Sequence, residues 1–579
     1  MNKAKGKSNQ AWENRLMKED EMADEKEIPM KVSRKEFVKG AALGAGALAG
    51  AGALASCAPA ATPVPTTAPG ETAAPAPTCP PAGECAPCPS AVPETWDKEA
   101  DVVVVGYGGA GAATAITAAD EGAQVLLLEK QAEDLHTSNT QMCFGVFVSP
   151  SNVEDAIAYM EVASRVNVDM PESKDIDDDV IQVWAEYMTQ NKDWLTSLGA
   201  EEFVVYADQG RDPSWPGNDA IKAYNIAKPD GSFGVGVDFF NFLAEQVSSR
   251  DVEIMWETPA TGLITNGEGT VIGVKAQGSG GTEMVIKAKR AVVLSCGGYE
   301  FDEAALKTYL PAYPMVFYGN PDNTGDGLRM AQSVGADLWH MTVLGGGLKM
   351  KFSDFPTAFL QTFGATGYMV VDKLGKRFMN EAIGGYSDYW NTVVYDTVNY
   401  TWPRIPAYWI FDQKRIDAGP LAFTLFGAAG PIGMYEWSPD NSAEIEKGWI
   451  IKAETVAELA QSIGVDQTAL EAELSKYNQY CQSGVDPEFG RSASSLVALE
   501  SPYYAVVLWP GLNNTFGGPR RNAKGLIVNT SGEAIPRLYS AGELGSIYVQ
   551  YPQGGANVGE CLAFGRIAGE NAAAEEPWG

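Results

Sequence analysis

The stretch DVVVVGYGGAGAATAITAADEGAQVLLLEK, Asp101 to Lys130, decides the fold. Val102 to Val105 is an unbroken β-branched run, the pattern of a strand buried on both faces. Gly106, Gly108 and Gly111 follow as GxGxxG. The first glycine makes the turn, the second lets the backbone approach a pyrophosphate, and the third lets the next helix pack on the sheet. Gly109 and Ala110 open that helix, whose N-terminus faces the anion. A second apolar strand, Val125 to Leu128, ends in Glu129 and Lys130, with Glu129 placed to accept the hydroxyls of an adenosine ribose. Strand, loop, helix, strand and acid in this register predict a dinucleotide-binding βαβ unit.

Composition bounds what surrounds this unit. The 579 residues are enough for two or three domains. The balance of 42 Lys and Arg against 74 Asp and Glu, a net charge of -32, repels phosphate backbones and excludes nucleic acid as a partner. No run of 18 strongly apolar residues reads as a mature membrane span. SRKEFVKGAALGAGALAGAGALASC, Ser33 to Cys57, sets a basic stretch before a weakly apolar Ala/Gly segment, which is an export signal in form. It resembles a twin-arginine signal, with Lys35 at the second arginine position. LASC resembles a lipoprotein box, which would make Cys57 a lipidated first residue and attach the chain to a membrane. Residues 58–96 are dense in Ala, Pro and Thr and are expected to be a disordered tether. Cys79, Cys85 and Cys88 lie there without the His of a covalent haem signature, and a disulfide or solvated thiols are the favoured readings. The other four cysteines are scattered at spacings that hold no metal, so none is expected.

The rest of the chain decides between FAD and NAD. VIGVKAQGSGGTEMVIKAKRAVVLSCGGYEFD, Val271 to Asp302, reads as a β-meander, an apolar strand and the pair Gly297-Gly298, while RLYSAGELGSIY, Arg537 to Tyr548, reads as a strand returning to a turn at Gly542 and Glu543. With NTGDGLRMAQSVGADL (Asn323 to Leu338), GYMVVDKLGKRFMNE (Gly367 to Glu381) and CLAFGRIAG (Cys561 to Gly569), the chain from about Asp97 onward resembles the flavoprotein family of fumarate reductases and 3-ketosteroid dehydrogenases. The resemblance implies an α/β fold: a Rossmann-like FAD-binding domain formed from both ends of the chain (97–335 and 502–579) with an inserted α+β substrate cap (336–501). It implies FAD as cofactor, with Glu129 at the adenosine ribose, Gly542 and Glu543 along the pyrophosphate and ribityl, and Gly555 to Val558, including Asn557, beside the isoalloxazine. It adds Ser138, Ala260, Gly297, Gly298 and Asp326 to the cofactor's surroundings.

The active-site motifs separate two branches. Fumarate reduction needs cations for two carboxylates and a strong proton donor. The branch's histidine positions fall at Gly347 and Asn514, its donor arginine at Gly385 and its clamping arginine at Pro552, and the chain holds only His136 and His340. YPQGGANVGE, Tyr551 to Glu560, is instead similar to the ketosteroid segment in which a tyrosine hydroxyl and a glycine N–H four residues later grip a ketone oxygen, here Tyr551 and Gly555. A phenol is a neutral donor at pH 7. Tyr386 lies near the position of the proton-transferring tyrosine, one residue late, with Tyr389 as rival; Tyr159 is a candidate supporting tyrosine. His136 falls where a flavin-contacting glycine pair stands, with a structural role favoured, and His340 reads as structural. The aromatic stretches Asp354 to Tyr368 and Tyr386 to Pro403 read equally as cap core or as an apolar slot for a flat molecule.

The expectation is an exported FAD-dependent oxidoreductase, outside the cytoplasm, that reduces or desaturates a C=C bond conjugated to a carbonyl in a hydrophobic, ketosteroid-like or other bulky enone. A quinol or cytochrome is its expected electron partner rather than NADH. The alternatives are a fumarate- or urocanate-type carboxylate ene reductase drawing a cation from Arg520 or Arg521, and a non-catalytic flavin- or ligand-binding lipoprotein.

Overall fold

The Val102–Val105 run lies at the end of a strand, Lys98–Val105, whose last four residues are buried. In the computed structural model, which describes residues 92–278, 280–364, 366–384, 386–423, 433–551 and 553–579 (the side chains of Tyr386, Ser387 and Leu512 apart), this strand sits at the centre of an eight-stranded sheet. It pairs in parallel with Val125–Leu128 on one side and Glu283–Leu294 on the other. Ala534–Ser540 adds to Glu283–Leu294 in parallel, so the sheet is assembled from both ends of the chain. The predicted meander is present: Ala260–Thr265, Val271–Gln277 and Glu283–Leu294 pair antiparallel in succession. The fold class is therefore as expected, α/β with a Rossmann-like parallel sheet. Ser33 to Cys57 and Cys79, Cys85 and Cys88 lie outside the described residues. Trp96, at the end of the expected tether, packs edge-on against Trp578.

Two helices close over the sheet. Gly109–Asp120 is apolar and small on nearly every face, and Ala556–Ala574 lies against it. Their approach is set by size: a Cβ on Gly565 would come within 2.7 Å of the Ala113 Cβ, and one on Gly569 within 2.8 Å of the Thr114 carbonyl.

A second sheet of six strands is built around the 13-residue strand Tyr503–Thr515, which pairs with Leu344–Met350, Ala407–Asp412 and Ile451–Ala453 antiparallel and with Val316–Phe317 in parallel; Tyr368–Val371 extends it beyond Ala407–Asp412. Much of the first aromatic stretch is core of this sheet. Phe352 stacks on Trp449 at 4.2 Å, Phe355 and Phe359 pack around them, and Phe363 stacks on Tyr368. In the second stretch Tyr389 is buried whereas Trp390, Tyr395, Val398 and Tyr400 are exposed.

The KRFMNE motif serves this region as a buried ion network. Arg377 grips Glu381 through Nε and Nη2, each at 2.7 Å, and reaches Asp486 at 2.9 Å, while Arg491 donates to the Tyr368 carbonyl at 2.7 Å; all four charged side chains are inaccessible to solvent. Removing one member leaves uncompensated buried charge. Arg377→Met is expected to cost about 3–5 kcal/mol of stability, read as a lowered midpoint in thermal unfolding of the purified protein.

Candidate functional site

Three parallel strands deliver their C-terminal ends to one place: Val105 leads into Gly106, Leu128 into Glu129 and Leu294 into Ser295. The carboxyl edge of such a sheet is where ligands bind in open α/β folds. Here it borders a cleft. Of the residues expected at the cofactor, Gly106, Gly108, Gly109, Ala110, Glu129, Lys130, Ser138, Ala260, Gly297, Asp326 and Glu543 line it.

The glycine turn has the geometry its spacing requires. Gly106 has φ +101°, and a Cβ there would lie 2.6 Å from the Ser295 carbonyl. A Cβ on Gly108 would meet only Ser138, at 3.8 Å, so the space before it is open to the cleft. Gly111 faces the Gly106 carbonyl, where a Cβ would stand at 2.0 Å; it packs the helix and does not line the cleft.

Gly298, Gly542, Asn557 and Val558 also lie off the cleft wall. Gly298 backs onto Thr515 and Glu300, Gly542 onto Ala110 with φ +72°, and Val558 is core. Asn557 stands in the first turn of Ala556–Ala574 with Oδ1 buried and unpartnered among the described residues, so it has an acceptor to offer a ligand.

At one end of the cleft Glu129 is held as an acceptor by the N–H groups of Tyr107 (3.0 Å) and Gln131 (2.9 Å). His136 stacks on Tyr107 at 5.4 Å with Nε2 3.8 Å from Glu129. Burial lowers its pKa below the ordinary histidine value despite the pull of Glu129, which favours the neutral ring. Lys130 donates to Asp326 (2.7 Å) and Thr324 (2.9 Å), joining two walls. The sequence reading missed several residues. Thr140 Oγ1 takes the Gly109 N–H at 3.0 Å, and Asn139 bridges Glu543 (3.1 Å) to the Asn320 N–H (2.8 Å). These are single polar residues in a loop, with no periodicity to mark them.

A second group gathers at the N-terminus of Ala556–Ala574. Gly555 caps this helix with φ +89°, and a Cβ there would strike Val146 at 2.6 Å. Its N–H lies near the Tyr551 hydroxyl, and Tyr551 stacks on Phe516 at 5.9 Å. Burial pushes the Tyr551 phenol above its ordinary pKa, with the Tyr206 phenol adding to this, while the Gly555 N–H and the charge of Arg211 pull the other way.

Tyr159 has a structural task. It is fully buried on the helix Val153–Ala163, its ring lies 5.2 Å from Trp215, and its hydroxyl accepts the N–H groups of Arg211 (3.1 Å) and Asp212 (3.5 Å). It thus anchors the loop that carries Arg211 toward Tyr551. Tyr386 begins the helix Tyr386–Thr392, and its side chain lies outside the described residues.

The positions of the carboxylate branch hold no imidazole: Gly347 pairs with Gly511 and Asn514 with Gly345. Gly385 and Pro552 lie outside the described residues. Arg521 is buried and bound to Glu560 (2.7 Å) and the Gly542 carbonyl (2.8 Å), and Arg520 pairs with Asp177 and lies over Trp339. His340 is structural, bonding the Ser546 carbonyl at 2.8 Å and stacking on Trp339.

The model of the family described as FAD binding domain matches residues 101–558. The chain is 28% identical over 533 residues to digoxin reductase of Eggerthella lenta, covering 83% of this chain and 88% of that protein. It is 27% identical over 491 residues to the cytochrome fumarate reductase of Shewanella frigidimarina, covering 82% and 77%. Its fold is similar to that of 3-ketosteroid delta1-dehydrogenase from Sterolibacterium denitrificans, with TM-score 0.70 and 22% identity over 82% of this chain and 100% of the other. The cofactor is FAD, and the chain is an FAD-dependent oxidoreductase.

The space before Gly108 supplies a test of the cleft. Gly108→Val, whose first carbon meets nothing closer than Ser138, is expected to leave the fold intact and weaken FAD binding by more than about tenfold. Flavin absorbance retained after gel filtration, set against an unchanged circular dichroism spectrum, checks it.

Proposed function

The chain belongs to the FAD binding domain family, and on that premise we propose that it is an exported oxidoreductase acting on a C=C bond conjugated to a carbonyl, its substrate a bulky, hydrophobic enone. The observation that carries this reading is the Gly555 N–H near the Tyr551 hydroxyl on the end of a 19-residue helix. Two neutral donors and the positive end of a helix dipole converge there. A carbonyl oxygen entering between them takes a hydrogen bond from each.

FAD bound in the cleft supplies hydride exchange with carbon at its N5. The chain's own residues do the rest. As the β carbon of the enone gains hydride, negative charge grows on the carbonyl oxygen, and Tyr551 and Gly555 hold it with preorganised donors. Tyr551 keeps its proton because burial has raised its pKa, so it donates without ionising. Tyr386 is assigned to protonate the α carbon. The same groups serve desaturation in reverse. An exported position, with Cys57 as a lipid anchor, separates the enzyme from cytosolic NADH and favours a quinol or cytochrome as donor and the reductive direction.

A second reading rests on Arg211. Its charge acts on Tyr551 from a loop held by Tyr159, so a cation stands near the donor pair although the motif positions of the carboxylate branch lack one. An unsaturated acid is the substrate class this favours.

Tyr551→Phe is expected to lower turnover of an enone by about 100-fold with FAD content unchanged. The wild-type rate should show no loss from this group as pH rises from 7 to about 10. Anaerobic reoxidation of the reduced flavin by a panel of enones and unsaturated acids separates the two readings. Oxidation by enones, unaffected by Arg211→Gln, supports the first; oxidation by acids alone, abolished by that substitution, establishes the second and overturns the first.

A further inference from the structure

Glu543 borders the cleft, and behind it, within hydrogen-bonding reach, lies Glu300, which is 1% exposed. Oε1 of Glu300 accepts the N–H of Thr515 at 2.6 Å and its hydroxyl at 3.0 Å. Oε2 has no donor among the described residues, although it is buried. Glu543 accepts from Asn139 Nδ2 at 3.1 Å. The cation behind this wall, Arg521, is committed to Glu560, which also accepts from Ser546, and Lys130 is committed to Asp326.

Two carboxylates have only acceptors to offer each other, so a contact between them is a hydrogen bond only when one carries a proton. Two buried charges with no cation between them would also repel strongly. We propose that Glu543 is a neutral carboxylic acid donating its proton to Oε2 of Glu300, so that the pair presents one negative charge, not two, along the FAD cleft. The direction of titration agrees: burial, then the charge of Glu300, with a further push from Glu560, drive Glu543 well above the carboxylate range against the pull of Asn139. The Cys561 thiol near Glu543 and Glu560 is pushed up by burial and by the charge of Glu560, so it adds no charge to the wall at neutral pH.

This protonation has a use. Electrons entering the bound flavin meet one neighbouring negative charge where a doubly ionised pair would set two, so the flavin is easier to reduce. Glu543 and Glu300 are positioning residues in this account: they touch the field at the flavin, not the substrate. The inference rests on the FAD cleft and is independent of which acceptor the enzyme uses.

The test uses the FAD-loaded protein without substrate, so the substrate reading can fail without affecting it. Infrared spectra in H2O and D2O at neutral pH should show the C=O stretch of a protonated, exchangeable carboxylic acid. Glu543→Gln should remove that band from the difference spectrum against wild type. Since Glu543→Gln still carries the charge of Glu300, its flavin reduction equilibrium should stay within tenfold of wild type, about 30 mV for a two-electron couple. In Glu300→Gln/Glu543→Gln, which carries none, reduction should become more than tenfold easier. No band lost on Glu543→Gln would overturn the proposal. So would a Glu543→Gln variant that reduces more than tenfold more easily, since that is the signature of two ionised carboxylates. Should the variant fail to retain FAD, the difference spectrum of the two proteins, both prepared without it, decides.

Discussion

The contact between Gly109–Asp120 and Ala556–Ala574 is the constraint on which the rest depends. The first helix begins at the dinucleotide turn and the last is capped by Gly555, so their separation fixes how far that turn stands from Gly555. Gly565 and Gly569 set that separation at near backbone contact, which no larger residue permits. The last helix is then locked against rotation by buried polar bonds: Glu560 to Arg521, and Arg566 to Asn191 at 2.7 Å. A buried ion pair is weak evidence for stability, but here it forbids other registers of the helix. The same packing joins the two ends of the chain.

Charge is handled differently at long and short range. A net charge of -32 repels anionic molecules approaching from solution. Inside the cleft three acids are each held differently: Asp326 is paired with Lys130, Glu129 accepts two N–H groups, and in the proposed pair Glu543 carries its own proton. A neutral enone and a neutral quinol avoid the long-range penalty, while an acid must overcome it with the local charge of Arg211. That balance is why the enone reading leads.

The parts legible in the sequence were those enforced by backbone geometry. Gly106 needs its positive φ and Gly111 its missing Cβ wherever a strand turns sharply into a helix, so spacing alone reports them. The meander was legible because strands at hairpin spacing alternate predictably. Roles that depend on what a distant segment brings were not. Tyr159 stands on an ordinary amphipathic helix, and only the loop Arg211–Trp215, folded back on it, turns its hydroxyl into an anchor. Gly542 was expected along the cofactor, yet its φ of +72° serves the close pass beneath Ala110. Thr140 and Asn139 carry no pattern at all, and their value comes from Gly109 and Glu543, 31 and 404 residues away in the chain.

The donor pair cannot choose the direction of the reaction. In the proposed function Tyr551 and Gly555 stabilise the charge on the carbonyl oxygen in the transition state, which reduction and desaturation share, so they would accelerate both equally. Direction follows from the relative ease of reducing the flavin and the substrate. For the chain to influence it, charge must act on the flavin and not on the enone. The residues placed for that border the cleft, where in the proposed pair one proton between Glu300 and Glu543 halves the negative charge. Catalysis and direction are thereby assigned to separate groups, the first to neutral donors at a helix end and the second to a carboxyl pair, and either can change in evolution without disturbing the other.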